Sequence, residues 1–117
     1  MIRMLFATAA ILTVAVSQAT AFQGRCLLEV NSKKYINGPC DIVVFDKDGS
    51  FMIGTDEKRG YFAYVNLDDS PKAGAPQTAD GFWNEEPGVT RADSRLGTLT
   101  RDGACWSNQT AKVCVWR

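Results

Sequence analysis

The 117-residue chain contains no histidine. That removes the side chain whose charge changes near neutral pH, and with it His-assisted Ser or Cys nucleophiles and imidazole metal ligands. Charge of one sign is also missing, with 13 basic and 13 acidic residues. A balanced chain has no electrostatic footprint for nucleic acid and no polybasic patch for a membrane surface. Proline is scarce, with four residues. No C-x-x-C pair occurs, so thiol-disulfide catalysis and a four-thiolate zinc site lack their usual spacing. Nor is there a Gly-rich phosphate loop or a G-x-S-x-G nucleophile element. No cofactor is expected.

What is present begins with an export signal. Met1 to Arg3 carries one positive charge, Met4 to Ser17 is apolar, and Ala19-Thr20-Ala21 offers small residues before a cleavage point. The run is shorter than the ~20 apolar residues of a membrane-spanning helix. Arg25 precedes Cys26, which is unlike a lipidation site. Residues 1–21 are therefore expected to be removed, and 22–117 to be a single domain, soluble outside the cytoplasm, with no stable membrane insertion. Removal takes Arg3 and no acid, leaving 12 basic against 13 acidic residues and a formal charge of −1.

All four cysteines, Cys26, Cys40, Cys105 and Cys114, lie in the mature part. An even number in a small exported domain reads as two disulfides. Three pairings exist. Cys26 with Cys40 and Cys105 with Cys114 is favoured, because each pair flanks a candidate hairpin.

The remaining pattern is one of short apolar segments between turn residues, which predicts an all-β domain. Candidate strands are Cys26–Val30, Lys33–Ile36, Asp41–Phe45, Ser50–Ile53, Tyr61–Asn66, Gly81–Asn84, Leu96–Arg101, Ala104–Ser107 and Ala111–Trp116. Asn37-Gly38-Pro39 reads as a break, Asp46-Lys47-Asp48-Gly49 as a hairpin turn, and Leu67 to Asp80 as a loop. With no convincing helix, a small antiparallel barrel or compact sandwich of about eight strands follows. Phe45, Phe51, Tyr64, Phe82, Trp83, Trp106 and Trp116 are expected to pack in the core. Exposed edge strands would also permit a homodimer.

Candidate chemistry is sparse. Asp46-Lys47-Asp48-Gly49 resembles the start of a calcium loop, with Glu57 at the twelfth position. Its Gly falls at the fourth place rather than the sixth, and the flanks read as strand, so a hairpin turn is the better reading. Asp56-Glu57, Asp68-Asp69 and Glu85-Glu86 are paired carboxylates. Neighbours on a strand point to opposite faces, which suits solvated loops better than a glycosidase pair. Asn108-Gln109-Thr110 fits a glycosylation sequon, an accidental match if the chain is bacterial. No catalytic residue and no metal ligand set is assigned. Gly54 to Gly60 is a charged loop between apolar strands, and binding residues concentrate on such loops.

Four stretches carry a family likeness: Gly24–Val30, Tyr61–Val65, Leu96–Trp106 and Lys112–Arg117. In these the chain resembles small bacterial periplasmic proteins related to the inhibitors of c-type lysozyme. The resemblance implies an eight-stranded barrel, no enzymatic activity, and a protein partner, c-type lysozyme, whose active-site cleft receives surface loops. Inhibitors of this type share an S-G-x-x-Y motif that this chain lacks; Gly60, Tyr61 and Tyr64 come nearest, at a different spacing. A lysozyme is basic outside and has two carboxyl groups in its cleft. Acidic residues such as Asp56, Glu57, Asp68 and Asp69 would steer toward it, and Lys58, Arg59 and Tyr61 would supply donors to the cleft. The binding-loop candidates are thus Asp56, Glu57, Lys58, Arg59 and Tyr61. Two other classes remain: a non-enzymatic envelope or surface protein, such as an antigen or assembly factor, and a hydrolase using Glu85 or Glu86.

Overall fold

Asn31 and Ser32 both lie in the left-handed region, at φ 51° and 67°. Two such residues in succession make the tight turn whose twist matches a β-hairpin. They join the first two of eight strands in the computed structural model, which describes residues 20–45, 48–54, 60–69 and 71–117. The strands are β1 (Thr20–Val30), β2 (Lys33–Val44), β3 (Phe51–Gly54), β4 (Phe62–Leu67), β5 (Thr78–Trp83), β6 (Ser94–Asp102), β7 (Cys105–Ser107) and β8 (Ala111–Trp116). No helix forms among the described residues. Each strand pairs antiparallel with the next, and β8 returns to pair with β1, which closes the barrel. The seam runs from Arg25 opposite Trp116 to Val30 opposite Ala111. Over that span β1 has partners on both sides, whereas Thr20–Gly24 of β1 and Lys33–Cys40 of β2 have one strand neighbour each.

Period-two alternation decides what enters the barrel. Along β5, Ala79, Gly81 and Trp83 are buried between less buried neighbours. Ile42, Phe51, Ile53, Ala63, Val65, Leu99 and Val113 complete most of the interior. A bulge lies where β5 meets β6, with Gly97 at φ 95°. It leaves both Leu96 and Leu99 buried in the core. Asn108 donates from Nδ2 to the Leu96 and Thr98 carbonyls at 2.9 and 3.1 Å, and its Oδ1 accepts the Thr110 and Ala111 N–H groups. The sequon asparagine is therefore a clasp on the bulge.

The disulfides pair as favoured: Cys26 with Cys40, and Cys105 with Cys114. The first links β1 to β2 and belongs to the core cluster. The second joins directly opposed residues of β7 and β8. It stands on the opposite side of the strand from Val113, and hence on the barrel's outer face.

Several sequence expectations are corrected. Asn37-Gly38-Pro39 does not break the chain; β2 runs through it. β3 pairs with β2 only over Asp41–Val44, so Pro39 lies where β2 has one strand neighbour and its missing N–H costs no bond on the other side. The loop expected over Leu67 to Asp80 ends at Gln77, because Thr78 to Asp80 extend β5. β1 begins at Thr20, so residues before Cys26 also belong to the ladder. Among the aromatics, Phe51, Trp83 and Trp106 are buried, whereas Trp116 is 44% exposed. Phe45, Tyr64 and Phe82 are half-buried. Tyr64 faces Phe82 across β4 and β5 and stacks on Phe45 at 5.7 Å, on the side away from Ala63 and Val65. Phe62, not among the expected core aromatics, is buried.

Candidate functional site

An up-and-down barrel has two mouths, and the order of the strands sorts every loop to one of them. The 31–32 turn, Gly54 at the end of β3, Gly60 and Tyr61 before β4, residues 84–93 and the 108–110 turn share one mouth. The 45–50 turn, residues 68–77, the 103–104 turn and both described chain ends share the other. Of the binding-loop candidates, Tyr61 falls at the first mouth. Asp56, Glu57, Lys58 and Arg59 lie outside the described residues, between Gly54 at the end of β3 and Gly60. Tyr61 is described. Asp68 and Asp69 follow β4 at the opposite mouth, so the acidic rim drawn from all four carboxylates does not surround one site.

Aromatic rings fill the first mouth. Tyr35 meets Trp83 edge-on at 4.7 Å and Tyr61 at 5.0 Å, and Tyr61 stacks with Trp83 at 6.1 Å. These separations fall in the favourable range for edge-to-face and offset pairs. Trp83 is 5% exposed. The Lys33 ammonium stands 5.1 Å from the Tyr35 ring centre. The three rings come from β2, the β3–β4 connection and β5, and act as a plug.

The downstream end of the charged loop is fixed by Asn84, which is 5% exposed. Its Nδ2 donates to the Gly60 carbonyl at 3.0 Å and the Val89 carbonyl at 3.1 Å. Its Oδ1 accepts the Phe62 N–H at 3.1 Å. The Gly88 N–H also donates to the Gly60 carbonyl, at 3.1 Å. One buried amide thus ties the foot of one loop to the body of the next, with its polar atoms satisfied. Glu85 follows at φ 63°, and its Oε2 accepts the Ser94 hydroxyl at 2.6 Å, closing the 84–94 excursion.

The same geometry bears on the chemical alternatives. Glu85 and Glu86 lie on an exposed loop, with Glu85 committed to Ser94. Asp68 accepts the Thr78 hydroxyl at 2.6 Å, and Asp80 pairs with Arg95 at 3.3 Å in solvent. Asp48 Oδ1 accepts the Ser50 N–H, Gly49 sits at φ 96°, and the Phe45 N–H donates to the Ser50 carbonyl. These bonds build a hairpin turn from part of the calcium-like segment; Asp46, Lys47 and Glu57 lie outside the described residues. Among the described residues no group of three or more acidic or Cys side chains is gathered to hold a metal.

No known protein family, curated protein or solved structure matches the chain. The functional reading therefore rests on the residues themselves and on the resemblance in sequence.

Asn84 and Tyr35 escaped sequence reasoning. Asn84 sits between Trp83 and Glu85 in a segment that reads as the tail of a strand, with nothing to distinguish a buried amide from a turn residue. Tyr35 falls in Lys33–Ile36, which reads as a short polar strand, and its ring partners Tyr61 and Trp83 are distant in sequence.

Proposed function

We propose that this protein is a periplasmic inhibitor of c-type lysozyme that presents the 54–61 segment to the enzyme's cleft. The observation that supports this reading most is the clasp beneath that segment. Binding without catalysis needs a loop held on a rigid base, so that little ordering entropy is spent on association. The Asn84 amide and the Tyr35, Tyr61 and Trp83 rings supply such a base. Lys58 and Arg59 are the donors proposed for the cleft carboxylates, since charge-assisted bonds to a carboxylate are about twice as strong as neutral ones. Asp56 and Glu57 are the proposed contacts to the basic rim, with Tyr61 as the aromatic anchor at the foot of the loop. The two disulfides accord with an oxidising compartment outside the cytoplasm.

The test mixes the oxidised protein with a c-type lysozyme and follows the clearing of bacterial cell walls. Stoichiometric inhibition is expected. The double substitution Lys58→Ala, Arg59→Ala should weaken inhibition while leaving the unfolding transition in place. Full lysozyme activity at large molar excess would overturn the reading. The alternative, a non-enzymatic envelope or surface protein with another protein partner, is favoured by one observation, the lack of an S-G-x-x-Y motif.

A further inference from the structure

The mouth opposite the charged loop is open, and its lining is of two kinds. Ile42, Val44, Phe51 and Leu67 form an apolar floor to a cavity of about 330 Å³. That volume falls at the small end of the ~300–1,000 Å³ typical of small-molecule sites. Around its rim stand Arg101 and Arg117, each held against an aromatic ring that lines the same cavity. The Arg117 guanidinium lies 4.6 Å from the Phe22 ring centre, and that of Arg101 lies 5.8 Å from the Trp106 ring centre. Ring contact orients a guanidinium without neutralising it. Arg101 also donates from Nε to the Gly103 carbonyl at 3.3 Å. Among the described residues neither arginine is in an ion pair. Asp48 is the one carboxylate side chain in the cavity's lining, and it accepts the Ser50 N–H at 2.9 Å; Asp68, Asp69 and Asp102 stand at the same mouth outside that lining.

We propose that this mouth binds a small amphipathic anion, a carboxylate or sulfonate head on a short apolar tail. The tail occupies the floor between Ile42 and Leu67, and the head pairs with the outward N–H groups of Arg101 and Arg117. Two parts of the lining argue for this class. An apolar floor alone would take any hydrocarbon, and two exposed arginines alone would take any anion. Their convergence on one cavity selects a molecule with both parts. Planar guanidinium groups match a carboxylate or sulfonate better than a point-like cation would. The site does not depend on lysozyme binding, because it opens at the other end of the barrel from Gly54, Gly60 and Tyr61.

Decanoate is the probe, titrated calorimetrically into the oxidised protein below its micelle concentration. One saturable site is expected, with a change in emission from Trp106 and Trp116, which line the cavity. Decanol and decyltrimethylammonium keep the tail and remove or invert the charge; both should bind markedly more weakly. Arg101→Gln with Arg117→Gln should weaken decanoate about tenfold, the scale of a lost charge-assisted bond. Val44→Trp, which fills the floor, should block binding while circular dichroism shows the barrel intact. No saturable binding, decanol binding as tightly as decanoate, or unchanged affinity in the arginine double variant or in a folded Val44→Trp protein would each overturn the proposal.

Discussion

Asn84 and Phe62 hold each other by two bonds: the Phe62 N–H donates to Asn84 Oδ1 at 3.1 Å, and the Asn84 N–H donates to the Phe62 carbonyl at 3.3 Å. The side-chain half of this pair can be removed alone. Asn84→Ala should leave the buried Phe62 N–H without a partner and free the Val89 carbonyl, while the Gly60 carbonyl keeps the Gly88 N–H. Roughly 3 kcal/mol of stability should go, since each buried group left unmade costs about 1–3 kcal/mol. Asn84→Asp keeps the acceptor and loses the donor. Urea unfolding checks both, and an unchanged midpoint in Asn84→Ala would mean that the clasp contributes nothing to stability.

The disulfides should differ in cost. They span 14 and 9 residues, so chain entropy alone gives each about 3 kcal/mol. Cys26 and Cys40 are 1% and 6% exposed and part of the core. Replacing both with serine adds two buried hydroxyls to the lost crosslink, against one at the second bond, where Cys114 is 0% exposed and Cys105 half-buried. The Cys26→Ser, Cys40→Ser protein should therefore unfold at lower denaturant than the Cys105→Ser, Cys114→Ser protein. Cys105 is half-buried, and its bond should also be the first to yield to a mild reductant. Mass analysis after timed alkylation reads that order; the reverse order would contradict the placement of one bond inside the barrel and one outside.

Gly24 should tolerate no side chain. A Cβ there would press on the Trp116 carbonyl oxygen and stand 2.8 Å from the Ile42 Cδ1. The first obstacle is backbone of β8, so relief must open the seam near its end. Gly24→Ala should cost about 1–3 kcal/mol, the usual range for overpacking. Amide exchange of β1 and β8 near Trp116 should quicken more than that of β4 and β5. Uniform exchange across the barrel would argue against strain localised at the seam.

The all-β class and both disulfides could be read from the sequence because the signals are local. Asn31-Ser32 sits between two alternating runs, and each cysteine pair brackets one hairpin. Ala111–Trp116 reads as a strand with its true ends because Asn108 and the chain's last residue bound it. Pro39 misled because its meaning depends on whether a third strand lies beside it, which is a property of the closed sheet. Trp116 misled because a large aromatic predicts burial only when its strand face points inward, and register fixes the face. The site was half legible. Charge and glycine at 54–60 mark a loop, but its support by Asn84 and Tyr35 depends on contacts across 22 to 24 residues or more of chain. The pairing of Arg101 with Arg117 at one mouth likewise depends on closure.

Arg25 faces Trp116 across the seam, and both described chain ends emerge at the same mouth. A tether attached at Phe22 or at Arg117 would therefore hold the barrel by one pole and point Gly54, Gly60 and Tyr61 away from the support. Fusion to a carrier, immobilisation on a sensor chip or display on a cell surface should leave that pole accessible. The arginine-rimmed mouth would face the support, so an experiment on immobilised protein would examine one end of the molecule while masking the other.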